Sequence, residues 1–198
     1  DAGYAGPDFS GVFVYQPGNT VAVGDRVSID SAIASNFFGQ IQLGSVAGLT
    51  VGSSVETPPA PIVETPANLA TGVARAAALE AVVVEVANVT VTDTAPAAGP
   101  GDVAPTNEFV VDGLLRVNDY LFLLAPFPSV GENFVSLAGV LEFRNGNSKI
   151  EVRDVTDVVA GAATLVGFGP TGSFTREGVV SAPTFPVALS VTLSRAPL

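Results

Sequence analysis

Short runs of β-branched and aromatic residues, each closed by Gly, Pro, Asn or Asp, recur along this chain, and long helical periodicity is scarce. A chain punctuated in this way builds strands and turns. The runs are Gly11–Gln16, Arg26–Ser35, Gln40–Val51, Leu79–Thr92, Glu108–Val111, Leu114–Leu124, Phe134–Arg144 and Ser148–Val152. One helix is expected, over Pro66–Glu80, capped by Asn68 and weakened by Gly72. Two segments read as linkers: Thr57–Pro66 (TPPAPIVETP), whose prolines favour extended polyproline geometry, and Ala95–Pro105 (APAAGPGDVAP), which reads as a mobile loop.

An internal repeat narrows the fold further, because self-similarity marks a structural unit. Val23-Gly24-Asp25 begins one copy and Val130-Gly131-Glu132 the other. Val27, Ile29 and Ile33 match Phe134, Leu137 and Leu141 with a one-residue gap. The turns Phe38-Gly39 and Asn145-Gly146 follow, and Gln40–Leu43 is set against Lys149–Val152. Ahead of the second copy stand Leu79–Thr92, Glu108–Val111 and Leu114–Leu124, giving the five strands that a small Greek-key barrel of the OB type requires. Only Gly11–Gln16 precedes the first copy, which therefore lacks one or two leading strands. The expected fold class is all-β: two small OB-like Greek-key β units, the first incomplete, with an extended C-terminal strand. The division is a partial OB-like unit over 1–56, a Pro/Ala-rich linker with a short helix over 57–77, an OB-like barrel over 78–160, and an extended strand segment over 161–198.

Composition then excludes whole classes of function. Hydrophobic residues make up 47% and charged residues 14%, so the chain has the apolar surface to fold. Nineteen acidic against eight basic residues give a net charge of -11, which repels phosphate backbones and anionic lipid, so nucleic acid is not an expected partner. No stretch reaches the roughly 18 uninterrupted apolar residues of a membrane helix, so membrane insertion is not expected. Cysteine, methionine, histidine and tryptophan are all absent. A chain without oxidisable sulfur suits an extracellular or cell-surface location. Without His or Cys no Ser-His-Asp or Cys-His arrangement can form, and Lys149 is the lone lysine for a Ser-Lys variant. The chain is therefore expected to be non-enzymatic and to need no cofactor. Asp93, Asp102, Asn107 and Glu108 flank the long loop with oxygen ligands of the kind calcium takes, but EF-hand and nonapeptide patterns are missing, so they read as solvated turn acids. Asn88-Val89-Thr90 fits a glycosylation sequon but lies inside an expected strand.

FSGVFVYQPG (Phe9–Gly18), VAVGDRVSI (Val21–Ile29), FFGQIQL (Phe37–Leu43), ALEAVVVEVANVTVTD (Ala78–Asp93), EFVVDGLLRVNDY (Glu108–Tyr120) and KIEVRDVTDV (Lys149–Val158) carry a resemblance. Across these stretches the chain resembles the OB-fold modules of large secreted bacterial proteins, including those beside extracellular nucleases of the endonuclease/exonuclease/phosphatase type. Two positions depart from that pattern: Ala81 stands where a glycine is common, and Val152 where a proline is common. The resemblance implies a non-catalytic module, since the catalytic part of such proteins is a separate domain. The tail Phe185–Pro197 is similar to the opening strand of an immunoglobulin-like repeat.

Two candidate surfaces follow. On an OB barrel the face of strands 2 and 3 binds ligands, and here it would include Phe109, Arg116, Tyr120 and Phe122, with too little positive charge for phosphate but with a ring for stacking on sugar. In the tail, Phe185 opens a run in which Val187, Leu189, Val191 and Leu193 alternate with small residues, as in a half-buried strand without a partner. An incomplete first unit and an unpartnered last strand make the chain a structural, self-associating module, its strand completing the next copy in a filament or matrix. The expected partner is the chain itself, head to tail, or else neighbouring domains of a longer polypeptide that complete both units. The alternative is a non-catalytic carbohydrate- or nucleic-acid-binding accessory module of an extracellular hydrolase.

Overall fold

The computed structural model describes residues 4–161, and the expected strand Phe185–Ser194 lies outside them. Five strands form the first part: β1 (Phe13–Val14), β2 (Asp25–Ser28), β3 (Ser31–Phe37), β4 (Gln40–Ala47) and β5 (Thr50–Val55). The middle strand of a three-stranded sheet is β4, antiparallel to β3 and parallel to β1, while β2 pairs antiparallel with β5. Phe38 and Gly39 turn the β3–β4 hairpin with φ of 51° and 103°, the double positive φ that matches a turn to the twist of its strands.

Next come β6 (Ile62–Glu64) and two short helices, α1 (Pro66–Leu69) and α2 (Ala74–Ala78). The single expected helix is thus divided at Gly72, whose φ of 84° no helix continues through. Its cap is Thr65 rather than Asn68: the Thr65 side chain accepts the Asn68 N–H, and Pro66 takes the first helical position, where no donor is missed. The expected linker over Thr57–Pro66 also holds a strand, since β6 pairs parallel with the start of the long strand that follows.

That strand is β7 (Val83–Asp93), and with β8 (Phe109–Val111), β9 (Leu115–Asn118), β10 (Asn133–Arg144) and β11 (Asn147–Glu151) it closes a barrel in the order β7-β8-β9-β11-β10-β7. The β9–β11 pair is parallel and the other four contacts are antiparallel, which is an OB-like Greek-key barrel. After a 3-10 turn at Val155–Asp157, β12 (Val158–Ala160) pairs along the first half of β10. Inside lie Val84, Val86, Val89 and Val91 from β7, with Phe109, Leu115, Val117, Phe134, Leu137, Leu141 and Ile150, capped by Leu69 and Leu79 of the helical segment. Full burial of each such side chain contributes about 1.5–3 kcal/mol. Asn88, at φ 54°, reverses the alternation of β7 so that valines on both sides of it face the core.

The two parts share one pairing scheme. Phe37 pairs with Gln40 at the first hairpin, and Arg144 with Asn147 at the second, each 107 positions further on. Ile33 opposite Gly44 and Val140 opposite Glu151 keep the same offset. So does the turn before each unit: the Ala22 N–H donates to Asp25 (2.8 Å), and the Ser129 N–H to Glu132 (3.1 Å). The parallel pairs Phe13–Gln42 and Arg116–Lys149 make β1 the counterpart of β9. By the same logic β2–β3 corresponds to β10, β4 to β11 and β5 to β12. Gln40–Leu43 therefore matches Asn147–Ile150, not Lys149–Val152, and no gap is needed. Among the described residues the first unit has no counterpart of β7 or β8.

The units meet at their hairpin tips. The Asn145 N–H donates to the Phe38 carbonyl (2.7 Å), the Gln40 side-chain amide donates to Glu142 (2.8 Å), and the Phe143 ring lies against Gly39. Nearer the N-terminus, the Phe9 N–H donates to the Ala78 carbonyl (2.6 Å), and Arg75 pairs with both Asp8 and Glu64.

Candidate functional site

The core positions of the barrel have open counterparts in the first unit. Phe134 is 0% exposed and Val27 40%; Val117 is 1% and Val14 39%; Leu115 is 0% and Val12 55%. Ala34, the counterpart of Leu141, is exposed too, and Leu43, the counterpart of Ile150, is half-buried. This inner face of β1–β4 looks onto the space that β7 and β8 fill in the barrel. It is not wholly apolar, since Asp30 stands where the barrel has Leu137. These exposed apolar side chains are thus the barrel's core positions left open to solvent in the first unit.

The four residues expected on the barrel's ligand face do not share one face. Phe109 points into the core, edge-on to Phe127 and tilted against Phe134. Phe122 packs partly buried against the same core. Arg116 faces outward on β9, but its guanidinium is held by the buried Glu108 carboxylate (2.6 Å) and the Ala97 carbonyl (2.9 Å). Tyr120 is exposed, with the Arg144 guanidinium 4.3 Å from its ring centre. Beside Arg116 runs an open groove of about 460 Å³, lined by Thr71, Thr92, Asp93, Val110, Leu114 and Asn147 among others.

The acids of the long loop are engaged within the protein. Asp93 accepts the Ala95 N–H, Asp102 accepts the Gly99 N–H, and the Asn107 amide donates to Asp119. Lys149 is buried between Glu108 (2.5 Å) and Asp102 (3.5 Å). Among the described residues no group of three or more His, Cys, Asp or Glu is placed to hold a metal ion.

A second buried polar group, absent from the expected sites, lies at the seam between the units. Two buried carboxyl groups, Glu142 and Glu151, lie close to one another there, and Glu142 accepts from the Gln40 amide of the first unit (2.8 Å). Glu151 also accepts from the Asn118 amide (2.7 Å) and the Tyr120 N–H (3.2 Å). Burial, and then the neighbouring Glu142, push Glu151 up to about 8. Glu80 is raised too, by burial first, with the Ile41 backbone of β4 opposing the shift and Glu142 adding to it. The only sequence sign of this cluster was that Glu142 and Glu151 each fall among apolar strand neighbours.

In comparisons with protein-family models, with curated proteins and with solved structures, the chain matches none. The class is accordingly set by the architecture alone: an all-β protein with one closed OB-like barrel, preceded by a half-built unit on the same plan.

Proposed function

We propose that this chain is a structural, self-associating module of a secreted or surface-exposed protein, without catalytic activity, and that copies join by β-strand addition into a filament or matrix. The observation that carries the reading is the contrast between the two units. Among the described residues the chain holds both a barrel with its core closed by β7 and β8 and the same strand scheme with no strand over that face. Unpaired sheet edges beside an uncovered core bind added strands through main-chain hydrogen bonds and alternate side-chain pockets. The donor in this reading is Phe185–Ser194, with Phe185, Val187, Leu189, Val191 and Leu193 as its apolar residues. Donor and acceptor are different surfaces, so the contact is head to tail, and it propagates into a filament where the rotation between copies does not close a ring.

Negative-stain microscopy and sedimentation at high protein concentration test this. Filaments or large oligomers from the full chain, lost on deleting residues 182–198 while the barrel stays folded, are the expected result. A plain monomer at high concentration, or unchanged oligomers after the deletion, overturns it.

A second reading, a carbohydrate-binding accessory module of an extracellular hydrolase, draws on the groove beside Arg116 and the exposed Tyr120 ring. Retention of a monomer on an immobilised polysaccharide, abolished by Tyr120→Ala, would favour it over self-assembly.

A further inference from the structure

We infer that the added strand takes the place in the first unit that β7 has in the barrel, running antiparallel to β2–β3, and that it is Phe185–Ser194 of a second copy. This rests on the self-association reading and adds to it a location, a direction and a register that can be tested.

The barrel itself shows what belongs on the open edge. One edge of β10 carries β12 along Phe134–Leu137 and β11 along Val140–Arg144. The opposite edge carries β7 over seven paired positions from Asn133 to Val140. In the first unit β5 and β4 line the equivalent edge of β2–β3, and among the described residues no strand lines the other. Among the described residues, the edge left without a strand is thus the one where β7 belongs. Among them, too, no strand lies beside β1 where β9 has β8.

Length and side-chain pattern choose between the two places. β8 spans three residues, whereas β7 spans eleven and sends four valines, Val84, Val86, Val89 and Val91, into the core. Phe185–Ser194 is ten residues long and alternates four apolar residues, Val187, Leu189, Val191 and Leu193, on one face. A strand of that length laid along β2–β3 sets those four against Val12, Val14 and Val27, the counterparts of Leu115, Val117 and Phe134. The direction follows from the same template, since β7 runs antiparallel to β10.

Cysteine cross-linking of the full chain tests the placement, because the chain has no cysteine of its own and every disulfide formed reports an engineered pair. Ser31→Cys and Ile33→Cys sit on β3 at the counterparts of Ala138 and Val140, which β7 pairs in the barrel. Each is combined in turn with single cysteines across residues 186–194, and Phe13→Cys on β1 serves as the competing edge. The expected result is disulfide-linked dimers and larger species from the β3 cysteines. The preferred donor position should move two residues toward the N-terminus when the acceptor moves from Ser31 to Ile33, as an antiparallel ladder requires. A shift toward the C-terminus, efficient cross-links from Phe13→Cys alone, or oligomers that cross-link at no tested pair overturn the placement. Cross-links that stay within a monomer would keep the strand in the β7 place but remove the second copy. A cysteine-free chain that never oligomerises defeats the self-association reading itself.

Discussion

The main-chain N–H of Asn145 is bonded at 2.7 Å to the carbonyl of Phe38, and these two residues hold the same position in the turns of the two hairpins. The repeat therefore meets itself at its tips, and perturbing one turn is felt by the other unit. Gly39, at φ 103°, lies against the Phe143 ring, where an added Cβ would come 3.0 Å from that ring. Gly39→Val should separate the first unit from the barrel, because a β-branched residue at positive φ is strained by about 1–3 kcal/mol even without the contact. Hydrogen exchange reads this out: faster exchange across Ser31–Ala47 with unchanged protection of β10 is expected, and uniform protection would show that the docking does not depend on the turn.

Raising the pH should weaken the fold at the seam. Glu151 is pushed up to about 8 and Glu80 is also raised, so the folded chain holds protons that the unfolded chain has already released. Their stabilising contribution is complete below the ordinary carboxyl range and fades as pH climbs through 8, by an amount on the order of a few kcal/mol for Glu151. Urea unfolding at pH 6 and pH 9 should show the loss, and Glu151→Gln should flatten it. Stability that rises over this interval would contradict the assignment.

The Lys149–Glu108 pair is buried on both sides, and removing Lys149 leaves the Glu108 carboxylate with Arg116 as its remaining cation. Lys149→Met should destabilise the barrel by about 1.5–3 kcal/mol, the loss of one charged hydrogen bond. The double variant Lys149→Met/Glu108→Gln should cost less than the sum of the two single changes, which a double-mutant cycle measures. Additive costs would mean that the pair contributes through packing alone.

Equivalent core positions should respond unequally. Phe134→Ala opens a cavity in a closed core and should cost about 3–5 kcal/mol. Val27→Ala, at the matching but exposed position, should change monomer stability by no more than about 0.5 kcal/mol. The same Val27→Ala should weaken self-assembly, if strand addition buries that side chain. Sedimentation of the two variants beside thermal unfolding separates these effects.

Where side chains alternate strongly, the strands were legible in the sequence. β7 lies almost wholly within the expected Leu79–Thr92, and β10 matches Phe134–Arg144 to within one residue. Short strands escaped notice because their pairing, not their composition, makes them: β6 is three residues among prolines, and β5 (TVGSSV) lacks bulk to alternate. The repeat is legible too, but the pairing of Gln40–Leu43 with Lys149–Val152 lies two residues out of register after the hairpin. A two-residue slip keeps every side chain on its own face, so hydrophobic alternation cannot detect it, and only the turn pair Phe38-Gly39 against Asn145-Gly146 fixes the alignment. The residues expected on one ligand face part for a related reason. Phe109 and Arg116 sit on adjacent strands of one hairpin, but Phe109 pairs with Val117 and Arg116 with Val110, so the two side chains leave opposite sides of the sheet.

The strand β6 bears on how such a protein would carry load. Its three residues are bonded in parallel along the start of β7, which leaves only residues 56–61 between the first unit and the barrel sheet. A pull applied at β3 would reach the barrel by that short proline-containing span, by the hairpin-tip bonds from Gln40 to Glu142 and from Asn145 to Phe38, and by the bonds of Asp8 and Phe9 to the helical segment. With these routes engaged together, the joint resists torsion as well as stretching. In an assembly of many copies, bending would then concentrate at the junctions between subunits and spare the interior of each one.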